Sequence, residues 1–164
     1  MLLITFACVL SAQAPATSAN PFLGSWKLNP DRSKLPTPPP SGSSLVRIYA
    51  EQGDGFMIHT VISTYRDGAS FTFAAVKYDG NEYPVYFPES LAAFVSTGKK
   101  TTDVLIFTRV NAFTLQYSHK ENGREMFSGT FTISQDGKTM TDRSKFFDNQ
   151  GKETSSVVEV FDKL

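Results

Sequence analysis

The chain has 164 residues, and its 16 Lys+Arg balance 16 Asp+Glu, so the formal net charge is zero. Hydrophobic residues make up 40% and aromatics 13%, including 14 Phe, which is enough for one folded core. Those figures exclude a basic nucleic-acid arm, a disulfide-rich miniprotein and a disordered chain, and no apolar run is long enough for a transmembrane helix.

The chain opens with the apolar run Met1–Leu10, followed by the small residues Ser11–Ala19. This order resembles a signal-peptide core and its cleavage region, although no Lys or Arg precedes the run. Ala12-Gln13-Ala14 fits an A-x-A site but is followed by Pro15, and Ala19 serves as a second choice. Residues 1–19 are therefore expected to be a signal peptide and residues 20–164 the mature domain, exported to a periplasm or beyond the cell. Cys8 is the single cysteine and falls inside this leader. Thr5 stands where a lipobox carries Leu, and the apolar stretch before Cys8 is too short, so a lipoprotein is not expected. A mature chain without a thiol has neither disulfides nor cysteine chemistry.

Beyond the leader, Phe22–Leu28 reads as a first strand. Leu35–Ser44 follows as an extended loop, since its four prolines cannot donate to a sheet ladder. Turn signals then recur at Gly53-Asp54-Gly55, Asp67-Gly68, Asp79-Gly80, Asn122-Gly123, Asp136-Gly137 and Asn149-Gln150-Gly151. Such pairs favour tight hairpins because both central residues tolerate positive φ. Their spacing of about 12 to 14 residues leaves strands of roughly eight to ten residues. The intervening segments are rich in Val, Ile, Thr, Tyr and Phe, as strands are.

Alternation assigns faces. Phe71 and Phe73 share one side of their strand, and Leu105, Phe107 and Arg109 share parity in the next apolar run. Phe113, Leu115, Tyr117 and His119 oppose Thr114, Gln116, Ser118 and Lys120, and Phe127, Gly129, Phe131 and Ile133 oppose Ser128, Thr130 and Thr132. One polar and one apolar face per strand marks an antiparallel sheet. No segment shows helical periodicity, and within the irregular stretch Phe87–Lys100 only Pro88–Phe94 can form a helical turn. About nine strands in meander order close most readily into a barrel, because closure removes the two free edges. The expected fold is an all-β, antiparallel up-and-down barrel of about 8–10 strands, wide enough for side chains and a small ligand.

Within this pattern, Phe22-Leu-Gly-Ser-Trp-Lys-Leu28 resembles the opening strand of the calycin superfamily, and Gly24-x-Trp26 matches the lipocalin G-x-W. The runs Trp26–Lys34, Lys77–Val85 and Ser134–Met140 resemble small exported bacterial proteins described as lipocalin-like. The resemblance implies a calycin-type barrel with Trp26 packed across its closed end and Gly24 permitting close approach. It implies little about activity. The helix-turn-helix lid of fatty-acid-binding proteins is absent from the sequence, with the Pro-rich loop in its place. Their C-terminal Arg-x-Tyr carboxylate clamp is missing from Ser155–Leu164.

The candidate ligand-binding residues are Phe71, Phe73, Phe107, Arg109, Tyr117, His119 and Phe131, with Gly24 and Trp26 structural. Arg109 can face a ligand carboxylate or stack over Trp26 at the floor, a place for which Arg143 competes. Arg47, opposite in parity to Val46 and Ile48, is expected in solvent, and Asp142, Asp148, Glu153 and Glu159 show no spacing that distinguishes an acid/base pair from surface charge. His59 and His119 lack metal-ligand spacing, so no metal and no cofactor are expected. The leading functional expectation is an exported, non-catalytic carrier of a small hydrophobic or amphiphilic molecule, with no nucleic-acid and no evident protein partner. Two alternatives stay open. One is a barrel enzyme of isomerase or cyclase type using His119, Tyr117 or Arg109 for proton transfer. The other is a cell-envelope interaction module with a filled core, displaying a loop such as Pro36–Ser44. A cavity of about 300 Å³ or more favours binding.

Overall fold

The computed structural model describes residues 20–164, so the expected leader and Cys8 lie outside the described residues. The alternating segments form β1 (Gly24–Leu28), β2 (Ser44–Gly53), β3 (Phe56–Tyr65), β4 (Gly68–Val76), β5 (Asp79–Tyr86), β6 (Asp103–Asn111), β7 (Thr114–Glu121), β8 (Arg124–Ile133), β9 (Thr139–Phe147) and β10 (Glu153–Lys163). Each pairs antiparallel with its neighbours in sequence, and β1 also pairs with β10, so the sheet closes into a barrel. The expected meander barrel is present, with ten strands.

The hairpins follow the local chemistry. Asn122 and Gly123 both take positive φ, 52° and 78°, the geometry that lets β7 turn directly into β8 without untwisting either strand. Asp79-Gly80, expected as a turn, instead opens β5, and the chain reverses just before it at Lys77–Tyr78. β4 and β5 are joined only where Phe73 faces Tyr86 and Ala74 faces Val85.

The segment expected to be irregular contains a helix, α1 (Pro88–Thr97), longer than the single turn expected over Pro88–Phe94. Pro88 starts it where a missing N–H costs nothing, Ser90 Oγ accepts from the Phe87 N–H at 2.9 Å, and Gly98 ends it at φ 72°. No residue of α1 is buried, so it carries no apolar stripe for periodicity to detect. The Pro-rich loop is extended, anchored where Lys34 bridges Val158 of β10.

The core fills the end of the barrel opposite α1. Phe22, Trp26, Val76, Leu115, Met140 and Phe161 are fully buried there. Trp26 Nε1 donates to the Phe22 carbonyl at 2.9 Å, which satisfies the one polar atom of the indole. The cation above the indole is Lys163, its Nζ 5.0 Å from the ring, and not Arg109 or Arg143. Gly24, at φ 120°, makes this possible: a Cβ there would meet Lys163 Cε at 3.0 Å. Arg143 is exposed on the outer wall. Phe113, expected inside with Leu115, lies in the turn before β7 and is 39% exposed.

Candidate ligand-binding cavity

Above this floor, inward side chains of β2 to β8 surround a cavity of about 230 Å³. Its wall is mostly aromatic. Tyr117 and Phe131 stack with centroids 4.6 Å apart, Phe107 stacks on Phe131 at 6.2 Å, and His119 stacks on Phe127 at 4.6 Å. Thr72, Ala74 and Val85 make the opposite side, and Phe87, next to α1, borders the upper part. A second recess of about 310 Å³ adjoins it beneath Leu35, Pro36 and Thr37, sharing Arg47, Tyr117 and Phe127 with the first. The aromatic chamber alone falls short of the ~300–1,000 Å³ usual for small-molecule sites.

One polar network crosses between the two chambers. Arg47 points inward with Tyr49, two residues along β2, while Val46 and Ile48 take the outer face. This corrects the expectation of a solvated arginine. Its parity opposite to Val46 and Ile48 holds, but the aliphatic pair occupies the outside. Arg47 Nη2 lies 3.2 Å from Asp142 Oδ2 and 3.3 Å from Glu159 Oε2, and its guanidinium stands 5.1 Å above both Phe131 and Phe161. Asp142, whose spacing left it open between a paired acid and surface charge, is only 1% exposed and accepts a hydrogen bond from the Tyr117 hydroxyl at 2.7 Å. Burial pushes the Asp142 carboxyl up to about 6, although Arg47 and Tyr117 both stabilise its charge.

The two histidines are held differently. His59 is buried against Tyr49 and Phe107, with Nε2 3.0 Å from the Tyr78 hydroxyl. Burial, with Arg47 nearby, lowers its pKa to about 3, so the ring is neutral. His119 is also lowered by burial, and neither of its ring nitrogens has a protein hydrogen-bond partner. The Tyr49 hydroxyl is buried beside the Arg47 guanidinium, and burial raises it to about 12.

Five of the sequence-predicted residues therefore meet around one cavity: Phe73, Phe107, Tyr117, His119 and Phe131. Two do not. Phe71 is 39% exposed, because Thr72, Ala74 and Val76 take the inward parity of β4. Phe73 shares the parity of Phe71 yet still borders the cavity, at the place where β4 meets β5. Arg109 has the inward parity of Phe107 but sits beyond it at the closed end. It covers Tyr78 at 4.9 Å and Phe22 at 5.7 Å, and bonds the Asn20 side chain and the Ala112 carbonyl. Arg109 is thus separated from the cavity that His119 and Tyr117 share. Arg47, Tyr49, His59 and Asp142 were missed. The sequence did contain a signal for Asp142: Met140, Asp142 and Ser144 alternate with Thr141, Arg143 and Lys145, a small-or-apolar face opposed to a cationic one. Among the described residues, no three His, Cys, Asp or Glu side chains converge as a metal site, and no helix is long and apolar enough to cross a membrane.

A closed antiparallel meander with a packed floor and an aromatic-walled cavity above it defines the chain's fold as a ten-stranded up-and-down β-barrel, the architecture of the solved structures it resembles. Among solved structures it is similar to a variant of the fluorescent protein UnaG, at TM-score 0.57 and 13% identity over 88% of this chain and 96% of that one. It is similar as well to a fatty acid binding protein of Schistosoma mansoni in complex with arachidonic acid, at TM-score 0.51 and 12% identity over 88% and 96%. A third likeness is to Rv2717c from M. tuberculosis, at TM-score 0.50 and 17% identity over 93% and 99%. At such identities the likeness establishes the fold alone. No family model matches the sequence, and no curated protein does.

Proposed function

We propose that the chain is an exported carrier that holds an apolar or amphiphilic small molecule inside the barrel. The observation that carries this reading is the aromatic-walled interior, with its second recess under the Pro-rich loop. A filled core would serve a purely structural or interaction module equally well, whereas here the buried core leaves an aromatic-walled space above its floor. The arachidonic acid held by the Schistosoma protein supports the reading, since that protein has the same architecture. Export rests on the composition of residues 1–19.

A thermal-shift and native-mass screen against lipids, quinones and aromatic metabolites tests the carrier reading. A bound ligand at a hundredfold excess over its Kd stabilises the fold by about 2.7 kcal/mol. For a domain of this size that is a rise in Tm on the order of 5–10 °C. The substitution Ala74→Phe, which fills the cavity, is expected to abolish the shift. A screen without any stabilised complex overturns the reading. Export is tested separately by expressing the full chain in a bacterial host, fractionating the cells and sequencing the N-terminus of the mature product. Full-length protein retained in the cytosol overturns that part.

A further inference from the structure

We infer that the cavity selects an amphiphile with an uncharged, hydrogen-bonding head group, such as an alcohol, amide or ketone, in preference to a carboxylate. This rests on the carrier reading and specifies its ligand class. The argument begins with charge. Among the described residues, Arg47 is the only cation lining either chamber, and two carboxylates already engage it, Asp142 at 3.2 Å and Glu159 at 3.3 Å. The network is thus charge-neutral or negative, depending on the proton of Asp142. A ligand carboxylate would bring in another negative charge with no cation left to meet it, and burying an unpaired charge is strongly unfavourable. The charges nearest His119, Asp103 and Glu121, are negative as well. Lys99 and Lys100 follow α1 in exposed loop, where solvent and salt screen them.

A cationic head finds no free carboxylate in the two chambers, since Asp142 and Glu159 both engage Arg47, and Arg47 already covers the faces of Phe131 and Phe161. What the cavity does offer is neutral polarity. Both ring nitrogens of His119 are buried without protein partners, and the Tyr49 hydroxyl and Arg47 Nε, buried side by side, have no protein partner but each other. Buried polar atoms are nearly always satisfied, so these mark where a ligand's own donors and acceptors belong. His119 is neutral in this setting and presents one donor and one acceptor, while Tyr49 can act as either.

Isothermal titration of the intact mature barrel at pH 8 with 1-decanol, decanoate and decyltrimethylammonium tests the inference, since the three share a chain and differ in head group. Decanol is expected to bind at least tenfold tighter than either ion. Decanoate or the ammonium binding as tightly as decanol overturns the inference and leaves the carrier reading standing. If none of the three binds while other molecules bind in the wider screen, this inference falls and the carrier reading stands; if nothing binds in either, both fall. Two variants locate the origin of the selectivity. Glu159→Gln, at a half-buried position, and Asp142→Asn are each expected to narrow the decanol-to-decanoate ratio several-fold. An unchanged ratio in both folded variants overturns the electrostatic argument. Tyr49→Phe and His119→Phe are expected to weaken decanol about fivefold, the worth of one hydrogen bond. Undiminished affinity in both overturns the assignment of the head-group site.

Discussion

Gly129 has no side chain because the Tyr117 hydroxyl needs its space. A Cβ there would stand 2.8 Å from that hydroxyl and would collide with the Arg143 carbonyl. Gly129→Ala is therefore expected to push Tyr117 off Asp142 and to destabilise the barrel by about 2 kcal/mol, the usual scale of an overpacked core, as read by urea denaturation. His59 makes a second prediction at this scale. Its pKa is about 3 when folded and near 6.5 when unfolded, so between those values the unfolded chain takes up a proton that the folded one refuses. Its contribution to stability is complete above pH 6.5 and falls as pH drops toward 3. Asp142 has the opposite sign: raised to about 6 when folded, it holds a proton below that value, so its contribution grows as pH falls from 6 to about 4. The two offset each other in that window, and the variant His59→Gln exposes the difference. Between pH 7.5 and pH 4, its stability relative to wild type is expected to rise by on the order of 3 kcal/mol. Equal pH profiles in paired urea titrations would contradict a neutral buried imidazole.

At the level of elements, the strands were legible because glycine-bearing turns cut the chain at intervals that match strand length, and alternation then chose a face. That choice succeeded for Leu115 to His119 of β7 and Phe127 to Ile133 of β8, where one face is mostly apolar. It failed in β4, where small Thr72 and Ala74 face inward and large Phe71 faces out. It failed again in β2, whose aliphatic Val46 and Ile48 lie outside a polar-cored wall. Size and hydrophobicity rank residues by transfer energy, but register decides direction for the whole strand together. The helix α1 was illegible for a related reason: it rides on the rim and buries nothing. With so little packing behind it, its amides are expected to exchange hydrogen well ahead of those in β7 to β9, as local opening needs few contacts broken. Exchange rates for α1 matching the sheet would show that it is fixed to the barrel. Gly98→Ala, which forces a Cβ into a φ of 72°, is expected to speed that exchange further without moving the global unfolding midpoint.

For the whole molecule, the pairing of β1 with β10 joins the two ends of the meander, and the floor residues hold both strands of that seam. Trp26 pairs with Lys163 across it, and Leu28 with Phe161. Trp26→Ala is expected to cost about 3–5 kcal/mol in urea denaturation, since it empties the floor where the ring of strands is joined. The barrel itself could be read from the chain because meander hairpins are local. The interior charge balance could not be, because it depends on residues 95 and 112 positions apart meeting Arg47. No short motif encodes such a meeting, and only the full circuit of strands produces it.

The floor has one practical consequence for optical work. Its indole is the chain's single tryptophan, fully enclosed and absent from the lining of either chamber. Emission excited selectively in that chromophore will report denaturation faithfully, and it will stay nearly blind to a guest arriving among the phenyl and phenol rings above. Titrations followed by intrinsic fluorescence at the red edge would therefore record silence even at saturation.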